Sequence, residues 1–320
     1  MRRILVIGAT GQIGSELTPA LRQRYGNDNV IAAGHARQPA RDLLEAGPYV
    51  TLDILDTDSV AEVIKEYRVD TIYHLAALLS VTAEANPQLA WQVNMNGLQQ
   101  VLELARTLQC ALFFPSSIGA FGPTTPQDNT PQVTIQRPDT MYGVTKAAGE
   151  LLCDYYFLRY GVDVRGVRFP GLISYITPPG GGTTDYAVEI FYAALQKKSY
   201  VCPLAEGTCL DMMYMPDAVM AALEIMVANP AKLKYRNAYN ITAMSFAPEE
   251  LAEEIRKYIP EFTMSYQVNP VQQAIADSWP NRMDDSAARE QWGWQPRYDL
   301  AAMTRDMLEK LAVKLQTAAP

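Results

Sequence analysis

Tyr142-Gly143-Val144-Thr145-Lys146 sets a phenol and an ammonium at an i,i+4 interval, which places both on one face of a helix. A free phenol ionises near pH 10, so a tyrosine that takes protons near neutrality needs its phenolate favoured by about 4 kcal/mol, and a neighbouring ammonium is one source. Ser117 closes the segment Leu112-Phe113-Phe114-Pro115-Ser116-Ser117. A hydroxyl there can orient the oxygen that Tyr142 deprotonates, with Ser116 as the neighbouring alternative. Alone, the Tyr-x-x-x-Lys spacing is equally that of an ordinary amphipathic helix surface.

A second motif changes that balance. Gly8-Ala9-Thr10-Gly11-Gln12-Ile13-Gly14 follows the apolar run Ile4 to Ile7 and opens a helix through Leu21, the strand-turn-helix setting in which a glycine-rich turn binds the pyrophosphate of a dinucleotide. Gly8 allows the tight turn, Gly11 lets backbone N–H groups approach the pyrophosphate, and Gly14 lets the helix pack closely on the strand. Gln12 and Ile13 stand at the helix N-terminus, where uncapped N–H groups and the helix dipole favour an anion. An oxidised nicotinamide would then add its own positive ring to Lys146 in favouring the phenolate.

The second strand should end in an acid that accepts hydrogen bonds from the adenosine ribose, yet Ala32-Ala33-Gly34-His35-Ala36-Arg37 offers none. Gly34 stands where the carboxylate is expected. Arg37 is near enough to meet a 2′-phosphate, although a solvated loop charge is the commoner fate of such a residue. The cofactor expected is NAD, with NADP acceptance left open, and Gly34→Asp is expected to tighten NAD binding. Asp53, after the third strand, suits the adenine amino group.

These groups need a scaffold that holds strand ends together. Apolar runs at Ile4 to Ile7, Val30 to Ala33, Tyr49 to Leu52, Thr71 to Leu75, Ala111 to Phe114 and Val164 to Val167 alternate with helical stretches at Thr57 to Tyr67, Pro87 to Leu108 and Tyr142 to Tyr160. That rhythm predicts βαβ units and an α/β fold with a doubly wound parallel sheet covered on both faces. The chain is 320 residues long, 48% hydrophobic and 19% charged, which excludes disorder as the main state. A net charge of -8 without a basic run argues against nucleic acid as a partner. No apolar stretch is long enough for a membrane span. Cys110, Cys153, Cys202 and Cys209 are widely spaced and only two histidines accompany them, so neither a metal site nor a disulfide framework is expected and a cytoplasmic location is the default.

With these residues in view, the sequence resembles the extended, epimerase-like branch of the short-chain dehydrogenase/reductase superfamily along its whole length. The resemblance rests on GATGQIG at 8–14, HLAA at 74–77, SSIGAFG at 116–122, YGVTK at 142–146, RFPG at 168–171 and DDSAAREQWGWQP at 284–296. It implies a Rossmann-type doubly wound parallel sheet with a smaller mixed α/β substrate lobe. It selects Ser117, Tyr142 and Lys146 as catalytic residues, Lys146 also holding the nicotinamide ribose. It extends the cofactor-binding set to Asp53, Ile54, Leu75, Ala76, Ala77, Pro170 and Leu172.

Three segments are more specific. PGGGTTDYA at 179–187, CLDMMYMPDAV at 209–219 and SWPNRMDDSAAR at 278–289 resemble the L-threonine 3-dehydrogenases of this branch. That likeness implies NAD-dependent oxidation of L-threonine to 2-amino-3-oxobutyrate. Physically, Gly180, Gly181 and Gly182 expose consecutive N–H groups, while Thr183, Thr184 or Asp185 can cap the following helix, a compact arrangement for a substrate carboxylate. Gly182, Thr184 and Ser80 join Ser117 and Tyr142 as expected substrate contacts, against the plainer reading of a surface hairpin with a helix cap. A glycine-rich loop of this kind is also suited to close over substrate. The dinucleotide-binding domain is expected over 1–175, with about 213–245 returning to it, and the substrate lobe mainly over 176–320.

Two rival functions fit the same motifs. A nucleotide-sugar epimerase or dehydratase shares fold and triad but must grip a diphosphate, for which Lys197, Lys198, Lys232 and Lys234 offer no convincing arginine cluster. A non-catalytic NAD(P)-sensing regulator is the other, and such proteins commonly lose the tyrosine or lysine retained here. The resemblance further implies a homodimer built on a four-helix interface, consistent with apolar Leu151, Leu152, Tyr155 and Tyr156 on more than one helix face.

Overall fold

The computed structural model describes residues 2–178 and 182–317. Fourteen short strands can be followed: β1 (Ile4–Ile7), β2 (Val30–Gly34), β3 (Tyr49–Thr51), β4 (Thr71–His74), β5 (Ala111–Phe113), β6 (Ser116–Ser117), β7 (Val164–Arg165), β8 (Val167–Phe169), β9 (Gly171–Ile173), β10 (Ser199–Cys202), β11 (Leu210–Tyr214), β12 (Tyr239–Asn240), β13 (Met244–Phe246) and β14 (Thr263–Tyr266). The central sheet runs β3-β2-β1-β4-β5-β7, all parallel. This is the Rossmann-type arrangement expected from the alternation of apolar runs and helices.

Period-two geometry explains the uninterrupted apolar strands. Ile4 and Val6 of β1 face one core with the helices Gln12–Tyr25 and Met215–Val227, while Leu5 and Ile7 face the other with Thr57–Glu66, Gly97–Leu108 and Met141–Tyr160. Every residue of β1, β2 and β4 is buried.

The sheet continues beyond two breaks. After Phe114 and Pro115 the chain resumes as β6, and after Gly166 it resumes as β8; β6 and β8 pair in parallel. Gly166 is required there, because a Cβ would lie 2.0 Å from the Phe114 carbonyl oxygen. The far edge of β8 takes β12, a strand drawn from much later in the sequence.

The remaining elements build a second core. β11 lies between parallel β9 and antiparallel β13, and β10 pairs with β14. Helices Tyr186–Gln196, Pro248–Arg256 and Leu300–Thr317 cover them through Phe191, Leu251, Ile255, Met303 and Met307. Late residues Ala287, Ala288 and Trp294 instead pack into the first core. The helical stretch expected over Pro87–Leu108 contains a π-helical turn at Gln92–Asn96. Among the described residues no helix is long and apolar enough to cross a membrane.

Candidate active site

Ser117 ends β6, and Tyr142 and Lys146 occupy the first two turns of the helix Met141–Tyr160. Thr140 caps that helix by accepting the Gly143 N–H at 3.1 Å. Small residues bring the two elements together: a Cβ on Gly143 would lie 2.3 Å from the Gly119 oxygen, and one on Gly119 would lie 3.2 Å from the Tyr142 ring. The Ser117 hydroxyl accepts the Gly119 N–H at 3.1 Å and is hydrogen-bonded to the Tyr142 phenol. The three residues singled out from spacing therefore meet in space.

Lys146 is buried, donates to the Pro115 carbonyl at 2.7 Å, and lies 4.9 Å from the Phe114 ring centre and 5.6 Å from that of Tyr142. Burial pushes its ammonium down to about 8, opposed by the negative charge of Glu150. Glu150, one further turn along, is gripped by Arg168 through two hydrogen bonds of 2.9 and 2.7 Å, by Gln136 at 2.8 Å and by the Ser116 hydroxyl. Ser116 thus serves the carboxylate, which distinguishes it from Ser117. His74 is buried, pushed down to about 3 by burial and by Lys146, and so is neutral. It packs at a strand end, as its plainer reading suggests.

The expected depression of the Tyr142 phenol does not occur in the protein alone. Burial raises it and only the Ser117 hydrogen bond pulls it back. The reason is geometric: the Lys146 ammonium is engaged by a backbone carbonyl, and burial of the phenol outweighs its single hydrogen bond.

Beside the triad lies a cavity of about 130 Å³. Its lining includes Gln12, Ile13, Leu75, Ala77, Ser80, Ser117, Tyr142, Lys146, Pro170, Leu172, Gly182 and Thr184, all named from the sequence. Gly180 and Gly181 lie outside the described residues. The Gly182 N–H donates to Asp185 Oδ2 at 2.8 Å, so it is committed to the start of the next helix and is not the free anion donor expected. Three contributors escaped the sequence reading: Trp279, Phe169 and Asn94. Trp279 and Phe169 line the cavity together with Thr183, whose buried hydroxyl has no hydrogen-bond partner among the described residues. Asn94, in the π-helical turn, accepts the Leu78 N–H at 2.8 Å and donates to Thr145 Oγ1 at 3.1 Å, tying the β4 loop to the Tyr142 helix. Asn94 stands between Gln92 and Asn96 in WQVNMNG, so nothing in the sequence singled it out.

The glycine turn fits a dinucleotide. Gly8 has φ +90° and no room for a side chain, since a Cβ would be 2.9 Å from the Ala76 nitrogen; one on Gly14 would be 2.2 Å from the Gly8 oxygen. The Gly11 N–H closes the turn onto Gly8 O at 3.0 Å. The helix starts at Gln12 without a side-chain cap, leaving its first N–H groups for an anion. Ile54 is buried, whereas Asp53 is half exposed, accepts the Leu55 N–H at 2.9 Å and lies 3.8 Å from His35 Nε2. Neither Asp53, Ile54 nor Ala76 lines the central cavity. Gly34 leaves no vacant place for an acid: a Cβ there would lie 2.4 Å from the Tyr49 hydroxyl oxygen. Gly34→Asp therefore requires Tyr49 to move, which corrects the expectation of a simple gain in affinity.

Comparison with known proteins agrees with this geometry. An uncharacterized epimerase/dehydratase of Staphylococcus aureus (strain USA300) is 53% identical over 314 residues, covering 98% of each chain. The crystal structure of L-threonine dehydrogenase from Clostridium difficile superposes with a TM-score of 0.95 at 57% identity, covering 98% of both chains. A GalE-like L-threonine dehydrogenase from Cupriavidus necator, in its holo form, gives 0.94 at 49% identity, covering 97% of this chain and 99% of that one. The model of the NAD dependent epimerase/dehydratase family matches residues 4–242, and the chain belongs to that family.

Proposed function

We propose that this protein oxidises L-threonine at its 3-hydroxyl, giving 2-amino-3-oxobutyrate and NADH. The observation that carries the reading is the Ser117–Tyr142 hydrogen bond beside buried Lys146, at the wall of a cavity also lined by Ser80, Gly182 and Thr184. The resemblance to solved threonine dehydrogenases supports the same substrate.

Ser117 holds the substrate hydroxyl against Tyr142, and the phenolate takes its proton as the C3–H bond gives up a hydride. NAD, when bound, supplies the hydride acceptor and a positive ring that favours phenolate. Gly8, Gly11, Gln12, Ile13 and Gly14 hold its pyrophosphate, with Asp53, Ile54, Leu75, Ala76, Ala77, Pro170 and Leu172 along its length. Lys146 binds the nicotinamide ribose. Ser80, Gly182 and Thr184 surround the amino acid, with Trp279 closing the apolar side and excluding water. This assigns a dinucleotide domain to 1–175 with about 213–245, and the substrate lobe mainly to 176–320, with Ala287, Ala288 and Trp294 packed into the first core.

The same reading includes a homodimer. Helices Ser80–Ala85, Pro87–Trp91 and Met141–Tyr160 leave Val81, Leu89, Trp91, Leu151, Tyr155 and Leu158 exposed, an apolar set that a second copy can cover.

A panel of L-threonine, L-allo-threonine, L-serine and UDP-sugars, each with NAD and followed by absorbance of the reduced nicotinamide and by sugar analysis, tests the proposal. Threonine-dependent reduction supports it. UDP-sugar turnover with threonine inert replaces it by the epimerase reading, and dinucleotide binding without any turnover replaces it by a sensor.

A further inference from the structure

The adenosine end of the glycine turn contains an exchange between two strands. Gly34 ends β2, and β3 runs parallel beside it with Tyr49 opposite Ala32. The Tyr49 ring packs against the first hydrophobic core, and its hydroxyl reaches the volume that a side chain at position 34 would occupy. A Cβ on Gly34 would lie 2.4 Å from that oxygen, 3.0 Å from Thr10 Cγ2 and 3.3 Å from Thr10 Oγ1. Two hydroxyls therefore stand where dinucleotide-binding folds commonly place a carboxylate. Burial raises the Tyr49 phenol, so it stays neutral, with one proton to donate and lone pairs to accept.

We propose that Tyr49 replaces the missing acid as the group that hydrogen-bonds the 2′-oxygen of the adenosine ribose, and that this neutral contact lets the protein bind NAD and NADP with less than tenfold discrimination. The proposal rests on the dinucleotide part of the functional reading and not on threonine as substrate. A carboxylate at this place excludes a 2′-phosphate by charge repulsion, whereas a phenol does not. Arg37 supplies a cation beside it, its Nη1 resting on the Thr10 carbonyl oxygen at 3.2 Å. On the Thr10 side of this place a cavity of about 840 Å³ opens, lined by Thr10, Arg37 and Gln38.

The test is calorimetric titration of the protein with NAD and with NADP, without any amino acid present. Wild-type dissociation constants within tenfold of each other are expected. Tyr49→Phe, which keeps the packed ring, should weaken NAD about three- to tenfold, the size of one lost hydrogen bond. Gly34→Asp should also weaken NAD while Tyr49 is present, and should recover NAD binding, with NADP weakened at least about a hundredfold, when combined with Tyr49→Ala. Unchanged NAD affinity in Tyr49→Phe, tighter NAD binding by Gly34→Asp alone, or a wild-type preference above tenfold for either dinucleotide overturns the assignment. A wild type that binds neither dinucleotide overturns the functional reading instead, and a failure to oxidise threonine leaves the titration interpretable.

Discussion

The two ends of the dinucleotide groove are built to different standards. At the nicotinamide end, Tyr142, Lys146 and Glu150 climb one helix at four-residue intervals, and buried Arg168 and Ser116 fix the last of them. At the adenosine end, half-exposed Asp53 and exposed His35 lie 3.8 Å apart in a loose pairing, and Arg37 makes an exposed hydrogen bond to the Thr10 carbonyl. Chemistry tolerates little displacement of a proton-transferring group. Holding an adenosine does not require one particular side chain, so a glycine and a tyrosine can stand in for an acid.

Tyr142→Phe should show the largest effect, cutting kcat/KM for threonine by roughly 10²–10⁴-fold while NAD affinity stays within about threefold of wild type. Retention of a tenth of the rate would remove Tyr142 from the chemistry. Glu150→Gln comes next and has a defined sign. Glu150 raises the Lys146 ammonium, which burial holds near 8, so its loss lowers that value and Lys146 discharges at lower pH. The alkaline fall of kcat should therefore begin at lower pH, with Glu150→Asp partly restoring it. A profile merely scaled down at every pH would reduce Glu150 to a folding role.

Ser80→Ala and Thr184→Ala should each raise KM for threonine about five- to tenfold, the size of one hydrogen bond, and change NAD affinity less than twofold. Equal effects on both ligands would assign these hydroxyls to scaffolding. Asp53→Asn should give the smallest change, under about threefold in NAD affinity, because a half-exposed carboxylate is well screened by water. A tenfold loss by calorimetry would show that the adenosine end is as exacting as the other.

What could be read from the chain divides along the same line. The glycine turn, the buried strands and the Tyr142–Lys146 pair were legible because each is local, set by helix and strand periodicity within a few residues. Ser117 needed its place at a strand end as well. The Gly34–Tyr49 exchange was not legible, since its two halves lie on separate strands and each is unremarkable alone. The same holds for Glu150 and Arg168, whose ion pair joins a helix to β8, and for Trp279, which reaches the cavity from a late segment. Gly182 misled because glycine reports backbone freedom without reporting which acceptor claims its N–H, here Asp185.

β12 gives the chain a particular order of assembly during synthesis. Tyr239 and Asn240 complete the edge of β8, and Ala287, Ala288 and Trp294 fill the core beneath the first sheet. A ribosome that has released residues 1–230 has delivered both nucleotide-binding motifs, yet leaves β8 with an unpaired edge and that core open. Such an intermediate is exposed to pairing with other chains. An amino-terminal fragment carrying the complete glycine turn and Tyr-x-x-x-Lys motif should therefore aggregate instead of binding dinucleotide.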